Sequence, residues 1–352
     1  MQLPPDIHAD NKVWKLVDDL SQKRGITELV INAHKCVFVE RAGRFIQLNI
    51  SFDKEEVYEF ISDVAKLNGK VCDEDNPILD GTLPDGSRFN AIVEPYCEGF
   101  PAVTIRKFLS HIKRFDDDLD IFGLGPRWVE FLKAMVSARS NIIISGGTGA
   151  GKTTLLNLLL NEVAFTERVV TIEDTLELNF SIPNLVRLEF GGKELLSKSE
   201  LTARDLVRNT LRMRPDRIII GEIRGGEFFD LLAAMNTGHE GSMTSIHANS
   251  PGESFARMES LYLMAGYHLP NHVVRKQISF AVDFIIQVNR NREGHRVVEQ
   301  IQEITGMEGD TISSQTIARR DEQTNKLEFT GVTPSRMAKI SRHGGIPIDF
   351  FK

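Results

Sequence analysis

The chemistry-bearing stretch of the chain is GGTGAGKT, residues 146–153, a G-x-x-x-x-G-K-[ST] turn between the β-like run NIIIS and the leucine-rich TTLLNLLL. Gly146, Gly149 and Gly151 would let the backbone take positive φ and wrap its amides around phosphate oxygens, and the start of the following helix adds favourable partial charge. Lys152 is spaced to reach the β and γ phosphates, and Thr153 offers a hydroxyl to Mg²⁺, a hard cation that prefers oxygen ligands. The expected nucleotide-binding set is therefore Gly146, Gly147, Thr148, Gly149, Ala150, Gly151, Lys152, Thr153 and Thr154, with ATP and Mg²⁺ as the cofactors.

Hydrolysis at such a turn needs acids to hold the metal and orient water. Glu222 follows the run RIIIG in the Walker B position, with Gly221 where many nucleoside triphosphatases carry aspartate; Glu222 would serve magnesium, water or both. Glu173, Asp174 and Glu177 follow VVTI and should project at the carboxyl edge of a sheet, where doubly wound folds bind ligands. On a helix over 201–213, Arg204, Arg208 and Arg212 would form one stripe suited to a neighbour's γ-phosphate, to nucleic acid, or to a solvated face paired with acids. His239 and His247 bracket a strand, as γ-phosphate sensors or as core hydrogen-bonding groups.

Positioning these residues takes an α/β framework. Strand-like and helical runs alternate from 126 to 266, the order of a largely parallel sheet, and the stretch from about 280 reads as antiparallel strands on its edge. Upstream, residues 27–52 read as hairpin strands, followed by a helix that opens on an Asp53–Glu56 capping box and stops at Asn68 and Gly69. The charged stretch 109–125 reads as a linker, so two domains are expected, 1–115 and 116–352; residues 310–352 carry too little pattern to assign. A net charge of -7 gives no bulk attraction to nucleic acid or anionic lipid. The three cysteines lack CxxC spacing, and no signal peptide or membrane helix is apparent, which together point to a soluble cytoplasmic protein.

The stretches GGTGAGKTT, VTIEDTLEL, RNTLRMRPDRIIIGEIRGGE and NTGHEGSMTSIHANSP together resemble the secretion and pilus-assembly ATPase superfamily, standing in the order of its Walker A, acidic, atypical Walker B and His boxes. Within it, DGSRFNAIVEP, VTIRKF and EITGMEGD look most like the tight-adherence (Flp) pilus ATPases of the CpaF/TadA type, with conjugation-type secretion ATPases as near rivals. The resemblance implies a RecA-like P-loop domain behind a smaller α+β domain, a homo-hexameric ring, and an inner-membrane platform as partner. It implies that Glu173 and Glu222 position water and metal, that Thr153 and Glu222 hold Mg²⁺, and that Lys152, His239 and His247 complete the catalytic set. Arg88 and Arg106, with Arg208 and Arg212, become candidates to sense phosphate. The ending RRDEQTNKLEFTGVTP departs from the usual family tail. A nucleic-acid translocase, supported by the arginine stripe, and a scaffold that binds nucleotide without hydrolysing it stand as alternatives.

Overall fold

The computed structural model describes residues 10–21, 23, 25–41, 43–107, 114–190 and 201–351. The chain divides into two compact units, Met1–Ser110 with Arg292–His295, and His111–Asn291 with Arg296–Lys352. Of the expected linker, residues 109–113 lie outside the described residues. Residues 114–125 belong to the second unit and carry two 3-10 turns, Phe115–Asp117 and Ile121–Gly123.

The first unit contains α1 (Lys12–Ser21), β1 (Ile26–Ala33), β2 (Cys36–Arg41), β3 (Arg44–Gln47), α2 (Lys54–Leu67), β4 (Ile78–Thr82), β5 (Arg88–Ile92) and β6 (Ala102–Arg106). Its strands form one antiparallel sheet in the order β3-β2-β1-β6-β5-β4. Alternate residues such as Leu29, Ile31, Phe89, Val103 and Ile105 join the apolar faces of α1 and α2 in one core. The rings of Trp14, Phe60 and Phe89 meet there edge to face, with centroids 4.7 and 5.7 Å apart. The expected capping box is present in its return half, since Glu56 Oε2 accepts the Asp53 N–H at 2.9 Å.

The second unit begins with α3 (Gly125–Ser137), β7 (Ile142–Gly146), α4 (Lys152–Leu160), β8 (Val169–Glu173), β9 (Leu185–Glu189) and α5 (Ala203–Thr210). It continues with β10 (Arg217–Ile220), α6 (Glu227–Asn236), β11 (Met243–Ile246), α7 (Pro251–Leu263), α8 (Asn271–Ala281) and β12 (Phe284–Arg290). β13 (Arg296–Glu308), β14 (Thr311–Arg320), β15 (Leu327–Phe329) and α9 (Met337–Gly344) complete it. The sheet order is β15-β14-β13-β12-β7-β11-β10-β8-β9. Buried on both faces, β7 sends Ile142 and Ile144 into a core with α3, α4 and α9, and Ile143 into one with α5 to α8.

Two parts of the sheet differ from the sequence-based expectation. β12 is parallel to β7, and the antiparallel ladder starts only at β13, because α8 carries the chain back across the sheet before β12 begins. The weakly patterned ending forms β14, β15 and α9, and folds onto α3 through aromatics. Phe351 stacks on Phe329 at 4.6 Å and meets Phe131 at 4.9 Å, while the Trp128 indole N–H donates to Leu327 O at 2.7 Å.

Candidate active site

The glycine turn sits at the carboxyl end of β7 and delivers Lys152 as the first residue of α4. Gly149 (φ 70°) and Gly151 (φ 100°) have the left-handed backbone expected of them. Gly146 does not. Its glycine answers to space, because a Cβ there would stand 2.6 Å from Val288 O and 2.8 Å from Val288 Cγ2 on β12. The Lys152 ammonium donates to Gly146 O at 3.0 Å and Gly147 O at 3.1 Å, so it is held across the mouth of its own loop.

From there a polar chain crosses the carboxyl ends of the strands. Lys152 Nζ lies 3.2 Å from His247 Nδ1, just past β11, and His247 Nε2 contacts Glu222 Oε1, just past β10. The ammonium is also 3.3 Å from Nε2, and a neutral imidazole keeps one ring nitrogen as an acceptor toward the ammonium and the other as a donor toward the carboxylate. Burial first, and then the adjacent Lys152 charge, push the His247 pKa below its ordinary value, which favours this neutral form. Glu222 Oε2 accepts from Arg224 Nη2 at 2.8 Å, and the same guanidinium reaches Asp174 Oδ2 at 3.2 Å. Sequence reasoning passed over Arg224; an arginine two residues after a candidate acid was the available signal.

Glu173 is differently placed. It is buried at the end of β8, and its Oε2 accepts the N–H groups of Glu177 and Leu178, both at 2.7 Å. Burial pushes its carboxyl above the ordinary range, opposed by those two amide bonds. Its side chain lies against Gly221, where a Cβ would meet Glu173 Cγ at 3.3 Å.

Other expected residues are scattered. His239 stands at the opposite end of β11 from His247, about 15 Å away by strand rise, with Nδ1 on Ala234 O at 3.2 Å. It is half-buried there, with exposed residues on either side of it. α5 ends at Thr210, so the arginine stripe stops short of exposed Arg212. Arg204 Nε and Arg208 Nε both donate to Asp230 on α6, at 2.7 and 3.0 Å. Arg88 and Arg106 are direct cross-strand partners on β5 and β6, and Arg106 Nε lies 3.9 Å from Glu28 Oε1. A cleft of about 420 Å³ opens beside the glycine turn, lined in part by Gly147, Thr148, His247, Asn249, Glu253 and Arg257.

The residues present fit a nucleoside triphosphate with Mg²⁺. The turn has no Cβ where phosphate would approach at Gly147 or Gly149, a cation sits at its mouth, and the nearby donors, Thr153, Glu222 and Asp174, are hard oxygens.

The sequence matches the family described as Type II/IV secretion system protein over residues 11–331. The chain belongs to that family. A putative conjugal transfer protein of Mycobacterium tuberculosis is 34% identical over 301 residues, 84% of this chain and 85% of that one. The conjugal transfer protein TrbB of Rhizobium radiobacter is 34% identical over 280 residues, 78% of this chain and 83% of its own. The type IV secretion system protein VirB11 of Brucella suis is 32% identical over 292 residues, covering 75% and 81%. Among solved structures, the Legionella pneumophila ATPase DotB superposes with a TM-score of 0.59 at 20% identity, covering 84% of this chain and 81% of that one. The pilus retraction motor PilT with bound ADP gives 0.56 at 19% identity, covering 94% and 86%. These two likenesses place the fold of this type II/IV secretion family member with RecA-like two-domain α/β proteins. No helix among its described residues is long and apolar enough to cross a membrane.

Proposed function

We propose that the protein is a Mg²⁺-dependent ATPase motor of a pilus-assembly or secretion machine, converting ATP and water to ADP and phosphate. The observation that carries this reading is the Lys152–His247–Glu222 chain, which joins a phosphate-binding lysine to a carboxylate across three strand ends. The turn amides from Gly147 to Lys152 and the Lys152 ammonium hold the phosphates; Thr153 and Glu222 would hold Mg²⁺. A metal held there would supply charge neutralisation to the phosphates. Glu222 polarises the attacking water, and neutral His247 keeps that carboxylate in place while leaving Lys152 charged. The two backbone amides on Glu173 support a positioning role for it, holding the 173–178 turn beside Glu222's strand.

The ring of six, the inner-membrane platform partner and the cytoplasmic location are part of the same proposal, as are Arg88, Arg106, Arg208 and Arg212 as phosphate sensors. The stretches DGSRFNAIVEP and EITGMEGD support a tight-adherence pilus as the machine served. The conjugal transfer and VirB11 relatives support a conjugation-type secretion system as the second reading. Loss of surface pili on deleting the gene separates the first from loss of DNA or protein transfer.

The deciding experiment is ATP hydrolysis against protein concentration, with mass determined in parallel, for wild type, Lys152→Ala and Glu222→Gln. Specific activity should rise as a ring forms, fall at least about 100-fold in Glu222→Gln while ATP still binds, and vanish with binding in Lys152→Ala. Magnesium-dependent turnover retained in Lys152→Ala would sink the site assignment. Activity independent of concentration in a monomer would remove the ring.

A further inference from the structure

The glycine turn is pinned at its far end by a part of the fold that does no chemistry. Residues 122–125 hold three left-handed conformations, Phe122 (φ 57°), Gly123 (φ 59°) and Gly125 (φ 72°), and the first is an aromatic residue buried to 3% exposure. A non-glycine residue keeps that backbone only where its surroundings over-determine it. Here they do. Arg320, at the end of β14 and itself buried, donates from Nη2 to Phe122 O and Gly123 O, both at 3.0 Å, from Nε to Val298 O at 2.9 Å, and from Nη1 to Asn325 O. Each of these acceptors is a backbone carbonyl. Burying a guanidinium to hold four carbonyls sacrifices its hydration, where a leucine would have packed without that penalty.

Both costs converge on one contact. The Phe122 ring edge, Cε1 and Cζ, lies 2.9 and 3.0 Å from where a Gly151 Cβ would be, and Arg296 Cδ lies 2.8 Å from the same point. Gly151 immediately precedes Lys152 and caps α4. The turn is thus braced at both ends, at Gly146 by Val288 of the sheet and at Gly151 by the Phe122 ring.

We propose that Arg320 and Phe122 form a buttress that fixes the Gly151–Lys152 end of the phosphate loop, which makes both positioning residues for nucleotide binding. The proposal rests on the nucleotide-site reading above. It gives a task to the RRDEQTNKLEF stretch, which begins on the two arginines that end β14.

The test uses the full chain with Phe122→Ala, Phe122→Leu and Arg320→Lys, the last keeping the charge but losing the fork that reaches several carbonyls at once. ATP affinity is read by displacement of a fluorescent ATP analogue, and hydrogen exchange is followed at the 149–154 amides. Ile340→Ala, in the same core but on α9 and outside the Arg320 contacts, controls for general loss of stability. Phe122→Ala and Arg320→Lys should weaken ATP binding by about tenfold or more and speed exchange at 149–154, with β10 and β11 unchanged and Phe122→Leu intermediate. Ile340→Ala should stay within about twofold of wild type. Wild-type affinity and exchange in Phe122→Ala overturn the buttress, as does an equal loss in Ile340→Ala; if Phe122→Ala does not fold, Arg320→Lys decides alone. Lys152→Ala binding ATP like wild type would instead overturn the site reading, and the buttress with it.

Discussion

Three glycines of one loop answer differently to the same added methyl group. At Gly147 a Cβ has nothing within 4 Å and the backbone is not left-handed, so Gly147→Ala should change stability by less than about 0.5 kcal/mol. At Gly146 the backbone is ordinary, but the Cβ would lie 2.6 Å from Val288 O, a carbonyl of the paired strand that cannot swing aside. Overpacking of that kind costs roughly 2 kcal/mol. At Gly151 a left-handed φ of 100° adds about 1–2 kcal/mol to the overlap with Phe122 and Arg296. Arg296 is the flexible member of that contact, so the sum is about 3 kcal/mol. For a unit of this size each kcal/mol lowers the melting midpoint by about 2–4 °C. Calorimetry should therefore rank the variants at under about 2 °C for Gly147→Ala, about 4–8 °C for Gly146→Ala and about 6–12 °C for Gly151→Ala. Hydrolysis should be lost in the last two. Equal destabilisation by Gly147→Ala and Gly146→Ala would refute the steric argument, and a mild Gly151→Ala would refute the backbone one.

Two further outcomes follow from the same geometry. His247 has a lowered folded pKa, so above its unfolded value of about 6.5 it is neutral in both states and contributes no pH dependence. As pH falls through 6.5 the unfolded chain takes up the proton first, and stability is lost until the pH passes the lower folded value. His247→Gln should flatten that acid-side loss in urea titrations at pH 5 to 8, and an unchanged slope would count against the neutral imidazole. Asp230→Ala should lower stability by about 2 kcal/mol, discounted because Arg204 and Arg208 are 25% and 48% exposed. Arg208→Ala that loses hydrolysis at an unchanged melting midpoint would bear out the proposed phosphate role of that arginine; a lowered midpoint with full activity would make it structural.

Much of the second unit was legible because its signals are local. The turn, the acids at strand ends and the isoleucine runs of β7 and β10 each carry their pattern within ten residues. His239 and His247 do bracket a strand, β11. What escaped has causes at a distance. The expected helix over 201–213 stops at Thr210 because the chain must turn before Pro215, with Arg214 left-handed at φ 54° just ahead of it. The need for glycine at 146 comes from Val288, far along the chain, and no local pattern holds it. β14, β15 and α9 are short or amphiphilic, and their apolar residues become a core only once Phe351 meets Phe131 and Phe329.

Glu173, the last residue of β8, and Gly221, the residue that follows the neighbouring β10, share one slot, which the glutamate stem fills and the missing side chain vacates. The familiar arrangement, with an acid on the second strand, is the same slot filled from the other side. Exchange between the two must therefore pass through paired changes: Gly221→Asp alone crowds two carboxylates into space for one, whereas Gly221→Asp with Glu173→Gly moves the charge one strand over. Positions 173 and 221 are in this sense a single letter of the site, written across two strands, and a search that reads each strand by itself finds each half without its link to the other.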